Sequence, residues 1–471
     1  MNAPSLHRSS LTPSQNTSRH VRIAIIGGGP GGLMTAYLLQ KKLAKPVTIT
    51  IWEADNRIGG KIKTPKFETA PVSYEAGAAE FYDYSPIDGD SLKALIKELG
   101  LSITPMGGHS VVINDRILGN LEDVEQFLGS EGSAELRRFA ALAQSTISRI
   151  EFYNSQGEES PELVSPSMRF DQFLDQISNS RTRHYIETLI HSDLAAEPHD
   201  TNVNYGLHNY VMNDAQYMEL YGIAGGNEQL ITALSQCLNA DIRLNCRVNQ
   251  VRLLDNGQLE LQISDASGPT LEIERANYDY VISALPLSAL KELDIKGCRF
   301  NDSIQHYLEH FDHPASYLRI SVLFERPFWN GLLADSFCML DQFDGCCLYD
   351  ESSRFLESKW GVLGWLLGGA AAERLAELSD RELIRLAVES LPSELAFGRS
   401  LFVEGKVHRW IGCVNAMPGG ASIMPLENRH QPDSGLPNFH VVGDFLFDST
   451  LNGVLESSEY VSNWICAKVN V

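Results

Sequence analysis

The chain has 471 residues, 43% apolar and 21% charged, with 38 Lys plus Arg against 60 Asp plus Glu and a formal charge of −22. This composition excludes a wholly disordered or collagen-like chain, and at roughly 100–200 residues per domain it fits two domains or one large interleaved unit. The acidic balance argues against a duplex nucleic-acid partner, whose phosphates need Lys and Arg, and against a general anionic membrane patch.

The eight cysteines form no C-x-x-C pair. A chain this long and Cys-poor is not a disulfide scaffold, so a reduced, cytoplasmic setting is expected. Residues 1–20 are polar, lack an apolar signal core and read as a disordered tail. The longest apolar run, Trp360 to Ala372, is 13 residues, against the ~20 needed to cross a bilayer. No integral membrane segment is expected.

In chain order, Val21 to Ile26 is an apolar, β-branched run that predicts a buried parallel strand. A glycine turn over 27–32 follows, then a helix over 33–43 and a second strand over 47–53. Residues 92–220 carry mostly helical spacing. A Gly turn then opens a helix near residue 227. Two strands of a meander flank Asp255-Asn256-Gly257, a hairpin signal. Tyr280 to Leu285 reads as another buried strand. Residues 291–404 mix strands, such as Leu318 to Glu325, with helices. The strand from Phe439 to Asp444 leads to a last helix over 454–469. Nucleotide-type strands separated by unlike material predict an α/β fold. Its discontinuous, Rossmann-like dinucleotide-binding domain (21–95, 222–290 and 405–471) is interleaved with an α+β substrate domain (96–221 and 291–404).

Gly27-x-Gly29-x-x-Gly32 is the dinucleotide fingerprint: one glycine for the turn, one for close backbone approach, one for helix–strand packing. The helix N-terminus then offers free N–H groups to phosphates. A lone G-x-G-x-x-G is weak. Here a strand precedes it, a helix follows, and Glu53 ends the next strand 21 residues beyond Gly32, where a carboxylate accepts from ribose hydroxyls. Glu53 also disfavours a 2′-phosphate.

The run from Glu53 through Arg57, Gly59, Gly60 and Lys61 to Thr64 resembles the first motif of the flavin amine oxidase family, E-x-x-x-R-x-G-G-[RK]-x-x-T. Tyr74 to Phe81 resembles that family's second flavin loop, Arg319 to Trp329 its central strand ending P-F-W, and His440 to Ile465 its C-terminal flavin segment. The resemblance implies non-covalent FAD. Its phosphates would lie on Gly28, Gly29, Gly31 and Gly32, and its ribose on Glu53. Arg57, Gly60 and Lys61 would lie near the pyrophosphate. Gly77, Ala78 and Ala79 would run beneath the ring, and the main chain of Val248 would meet adenine. Gly443 and Asp444 would hold the ribityl chain and pyrophosphate, while Val454 and Leu455 would aim N–H groups at flavin O2.

Three departures from the family stand out. Many members carry Lys ten residues before the P-F-W tryptophan; here the residue is Arg319. Its planar fork suits a carboxylate. It is the expected catalytic residue, anchoring a substrate carboxylate or tuning the flavin; the alternative is a strand arginine bonded to a core acid. The aromatic pair that sandwiches the amine in monoamine oxidases is replaced near Val414 and at Val454. Cys413 lies near a covalent-flavin position, but its register to Pro418-Gly419 is one or two residues short.

Other clusters carry less. His306, His310 and His313 share a helix face at metal-ligand spacing, but a polar helix face is the commoner cause and no metal is expected. Tyr205, Tyr210, Tyr217 and Tyr221 either pack a core or line a substrate pocket. His408 and Trp410 are candidates for the substrate side of the flavin. The resemblance implies oxidation of a C–N bond in an amine or amino acid by hydride transfer to flavin, with O2 as acceptor. The alternatives are a C–C dehydrogenase of the protoporphyrinogen or carotenoid kind and a redox-silent flavin scaffold. A small-molecule substrate is expected, and a homodimer is left open.

Overall fold

In the computed structural model the described residues are 20–86, 89–108, 110–149, 152, 168–266, 273–296, 300–333, 335–354, 359–415, 424–433, 436–447 and 449–470. The strand Val21–Ile26 lies at the centre of a five-stranded parallel sheet. Its neighbours are Val47–Trp52 on one side and Tyr280–Ser283 on the other, with Asp241–Arg243 and Phe439–Val441 at the edges. Ile23, Ala24 and Ile25 are fully buried, as a strand covered on both faces requires.

The glycine turn explains the rest of this unit. Gly27 has φ +105°, a left-handed conformation, and its amide bonds the Trp52 carbonyl at 2.8 Å. Pro30 opens the helix Pro30–Lys42, three residues earlier than its apolar spacing suggests, because proline suits a first helical position. A Cβ on Gly32 would lie 2.1 Å from the Gly27 carbonyl oxygen, so the close helix–strand contact admits only glycine. The last helix, Leu451–Val469, packs along the first: Ser458 Oγ donates to the Gly31 carbonyl at 3.3 Å.

Beside this sheet lies a four-stranded sheet built on Cys246–Leu253 and Leu259–Asp265. They are joined at the expected hairpin, where Gly257 takes φ +82°. A seven-stranded sheet forms the other half, ordered Phe402–Asn415, Pro314–Phe324, Gly361–Gly368, Cys346–Asp350, Phe337–Leu340, Val111–Ile113, Arg116–Leu118. The strand Phe402–Asn415 pairs along Pro314–Phe324 and so runs across residue 405. Residues 92–220 hold the helices Leu121–Thr146 and Ser180–Leu194, but also three short strands and part of a three-stranded sheet, Phe81–Asp83, Glu219–Ile223 and Ile103–Met106. Those strands are only three to four residues long, too short to leave an alternating signature.

Candidate active site

The dinucleotide cradle is built from backbone. Glu53 ends its strand with its amide bonded to the Arg243 carbonyl, and its carboxylate accepts from the Gly28 amide at 2.7 Å and from the Asp55 amide at 2.7 Å. The carboxylate therefore closes the turn and keeps lone pairs for ribose hydroxyls. Gly29 and Gly60 face each other as bare backbone: a Cβ on Gly60 would meet the Gly29 Cα at 3.3 Å. The first-turn amides of Gly31 and Gly32 have no intrahelical acceptor, and no acid stands in that turn to compete for an anion. This donor set and the open cradle between Gly29 and Gly60 fit a pyrophosphate. Cys246 donates its amide to the Glu53 carbonyl at 2.8 Å, so the strand that carries Val248 starts beside Glu53.

Two cationic residues expected near the phosphates have protein partners. Arg57 folds back on its own loop, giving Nη2 to the Gly60 carbonyl at 2.5 Å and Nη1 to the Ile58 carbonyl at 2.9 Å. Lys61 forms an ion pair with Asp444 and donates to the Cys413 carbonyl at 3.0 Å. These two side chains brace the cradle, and the phosphate donors on view are amides. The amide of Gly443 donates to Ser457 Oγ at 3.2 Å.

The expectation for Val454 and Leu455 needs correction. Thr450 caps the last helix, its Oγ1 accepting from the Gly453 amide at 3.2 Å, so the helix opens at Leu451. The Val454 amide is already spent on the Thr450 carbonyl at 3.1 Å, and Leu455 lies in the second turn within the core. The amides left over at this helix end are those of Leu451 and Asn452.

The loop expected beneath the flavin ring is the most constrained backbone in the site. A Cβ on Gly77 would stand 1.9 Å from the Lys61 carbonyl oxygen. The Ala78 amide donates to that same carbonyl at 3.0 Å, and Asn227 Nδ2 donates to the Ala78 carbonyl at 2.9 Å. The Ala79 carbonyl accepts from Arg354 Nη2. Trp410 Nε1 bonds the Ala76 carbonyl at 2.7 Å, and Tyr74 meets His408 at 3.1 Å. Burial, with Lys63 and Arg319 nearby, lowers His408 to about 4, so it is neutral near pH 7. His408 and Trp410 thus hold this loop in place.

Below the loop lies a cage of two guanidiniums and two carboxylates. Arg319 gives Nε to the Glu75 carbonyl at 2.6 Å and Nη2 to Glu351 Oε1 at 2.6 Å. Arg354 pairs with Glu75 at 3.2 Å, and the Glu75 amide donates to Glu351 Oε2 at 2.7 Å. All four side chains are at most 1% exposed. Arg319 is therefore the arginine bonded to a core acid. As the anchor of a substrate carboxylate it is corrected: two arms of its fork are taken, and only Nη1 lacks a partner.

Above the loop, Glu80, Tyr82, Asp193 and Tyr317 lie deep in the protein, where burial pushes each of their ionisations upward. Each nonetheless keeps accessible surface. The charges of Glu80 and Asp193 act on Tyr82 and Tyr317, and that of Glu80 on Asp193, so the four form one cluster, with Glu80 directly after Gly77–Ala79 in the chain. Of the four tyrosines singled out from the sequence, Tyr205 packs in the small apolar cluster with Tyr317. Tyr210 packs edge-on against Phe139, Tyr217 bonds the Ile147 carbonyl and Tyr221 sits edge-on to Phe81, all as core residues. No sequence motif marks Asp193, and Glu80 lies within the flavin-type run Tyr74 to Phe81 without being singled out by it.

Cys413 keeps its thiol on the Ile411 carbonyl, and burial raises its ionisation. The Pro418-Gly419 register lies outside the described residues. Burial, with His313 and His306 nearby, lowers the ionisation of His310, yet among the described residues no group of three or more His, Cys, Asp or Glu is placed to hold a metal.

A parallel sheet with a glycine cradle and a second backbone loop beside it defines a dinucleotide-binding fold. The family model for flavin containing amine oxidoreductase matches residues 30–466, and the chain belongs to that family. It is 25% identical over 322 residues to rat (Rattus norvegicus) prenylcysteine oxidase 1, covering 63% of this chain and 62% of that protein. A coproporphyrinogen III oxidase of Mycobacterium tuberculosis is 36% identical over only 78 residues, 17% of this chain and 16% of that protein. The chain thus spans under two thirds of the length of these relatives. Putrescine oxidase bound to putrescine shares the fold at TM-score 0.72 and 18% identity, covering 95% of this chain and 99% of that one. Among the described residues no helix is long and apolar enough to cross a membrane.

Proposed function

We propose that this enzyme oxidises a C–N bond of an amine or amino acid, with non-covalent FAD as the hydride acceptor and O2 regenerating the flavin. The observation that carries this reading is the pair of backbone constructions, the glycine cradle at Gly27–Gly32 and the braced loop at Gly77–Ala79, in a chain that matches the flavin containing amine oxidoreductase model over residues 30–466. Bound FAD supplies a two-electron acceptor for the substrate C–H.

The chain's own part is binding and placement. Gly29, Gly31 and Gly32 present amides to the pyrophosphate, Gly28 gives its amide to Glu53, which takes the adenosine ribose, and Val248 lies at the adenine. Gly77, Ala78 and Ala79 support the ring, held from below by the Arg319–Glu351 and Arg354–Glu75 pairs. Gly443 and Asp444 meet the ribityl chain, with Asp444 fixed by Lys61. The thiol of Cys413, turned to its own strand's carbonyl, supports a flavin held without a covalent bond. The seven described cysteines are all free, which supports a reducing compartment.

The test is a substrate panel. Peroxide release and anaerobic bleaching of the yellow protein by amines or amino acids are expected. Silence with all of them, beside bleaching by a porphyrinogen or polyene, would replace this reading with C–C dehydrogenation.

A further inference from the structure

Away from the cradle and its loop, one buried histidine is held in a way that fixes how many protons it carries. His191 lies in the last turn of the helix Ser180–Leu194 and is almost wholly buried. Its Nδ1 faces the Gly345 carbonyl at 3.0 Å, and its Nε2 faces Glu197 Oε1 at 3.1 Å. A carbonyl and a carboxylate only accept. A neutral imidazole has one N–H, so it would satisfy one of these partners and aim a lone pair at the other. The ring that satisfies both is the imidazolium.

The surroundings are shaped to this pair. Gly345 takes φ +113°, and a Cβ there would stand 2.9 Å from His191 Cβ, so only glycine brings that turn against the ring. Gly369 takes φ +57°, and a Cβ there would stand 2.7 Å from Glu197 Oε1. That same oxygen accepts the Ala370 amide at 2.9 Å. One carboxylate oxygen thus joins the end of the helix Ser180–Leu194 to the start of the helix Gly369–Ala376, and the ring joins both to the turn before the strand Cys346–Asp350. The further charges here are Asp344 in that turn, paired with Arg374 at 2.9 Å, and His199, which acts on Glu197. Burial works against the charged ring, but Glu197, the Gly345 carbonyl and Asp344 outweigh it and raise His191 above its ordinary value.

We infer that His191 and Glu197 form a proton-dependent latch: the doubly protonated ring fastens residues 195–197 to Gly345 and Ala370, and giving that proton to solvent releases them. Ala195, Ala196 and Glu197 line a cleft of about 320 Å³ together with Gly369 and Ala370, so the latch ties two sides of that cleft together. The folded ring is raised, so the latch is whole below about pH 6.5 and is lost as pH rises through the raised value. The inference is independent of the C–N reading above.

The holoenzyme with 15N-labelled histidine tests this by NMR, the His191 signals among the 13 histidines being those lost in His191→Gln. At about pH 7, above the ordinary histidine value, both ring nitrogens of His191 should carry protons. In Glu197→Gln, whose amide can donate to Nε2, one nitrogen should be bare. Asp193, two residues on, also titrates near pH 7, so opening is followed by hydrogen exchange in an Asp193→Asn background. There the protection of the Ala370 amide, corrected for the intrinsic pH dependence of exchange, should fall about tenfold or more between about pH 6 and about pH 9. Adding His191→Gln should remove that step. Should His191→Gln fail to fold, Glu197→Gln identifies the signals by their shift and serves as the second comparison. A bare nitrogen on the wild-type ring at about pH 7, no fall in protection, or a fall that survives in these variants overturns the inference.

Discussion

The dinucleotide cradle and the buried cluster of acids and phenols are built by opposite means. The cradle is local: Gly27 to Gly32, Glu53 and Gly60 lie within one β-turn-α-β unit, and backbone atoms do most of the work. The cluster draws Glu80 from a loop, Tyr82 from a short strand, Asp193 from a helix and Tyr317 from the seven-stranded sheet. A local backbone site writes its steric needs into a contiguous motif. A site of converging side chains leaves no such trace, because any surface-like Glu or Asp looks the same until the chain folds.

If the cradle and its loop are steric constructions, adding one methyl group should have the largest effect. Gly77→Ala or Gly32→Ala, with Cβ positions 1.9 and 2.1 Å from carbonyl oxygens, should give colourless protein or none in soluble form. A yellow Gly77→Ala variant with normal flavin content would show that the loop yields more than its contacts allow.

The charge cage comes next. Arg319→Met should destabilise the protein by about 3–5 kcal/mol in denaturant titration, because it strands Glu351 in the interior. Pairing it with Glu351→Leu should recover much of that loss. An Arg319→Met variant of full stability that binds amino acids poorly would restore Arg319 as a carboxylate anchor. Smaller still, Thr450→Ala should cost about 1 kcal/mol through the lost cap of the last helix.

The mildest effect separates the acid cluster from the cradle by pH. Asp193 is raised to about 7, above its usual carboxylate value. The stability contributed by its neutral form is therefore full below about pH 4 and lost as pH rises through about 7. Asp193→Asn should flatten that part of the stability–pH curve. An unchanged curve would place Asp193 in a wetter setting.

What the sequence revealed follows this division. The β-branched run at Val21 to Ile26 and the spacing to Glu53 carried the parallel sheet, and the hairpin at Gly257 formed where its turn residues stand. The start of the last helix was misjudged because apolar spacing points to Val454, whereas the Thr450 side chain sets the boundary. Arg319 shows the deeper limit. An arginine in place of a lysine reads as a change in chemistry, but its partners Glu351 and Glu75 lie 32 and 244 residues away and only the folded chain brings them together.

The most direct measurement is the visible spectrum of the purified protein, taken before and after mild unfolding and ultrafiltration. A yellow protein that releases FAD into the filtrate is the predicted result. Protein that is colourless and takes up no flavin on incubation with FAD would contradict the site described at Gly27–Gly32 and Gly77–Ala79.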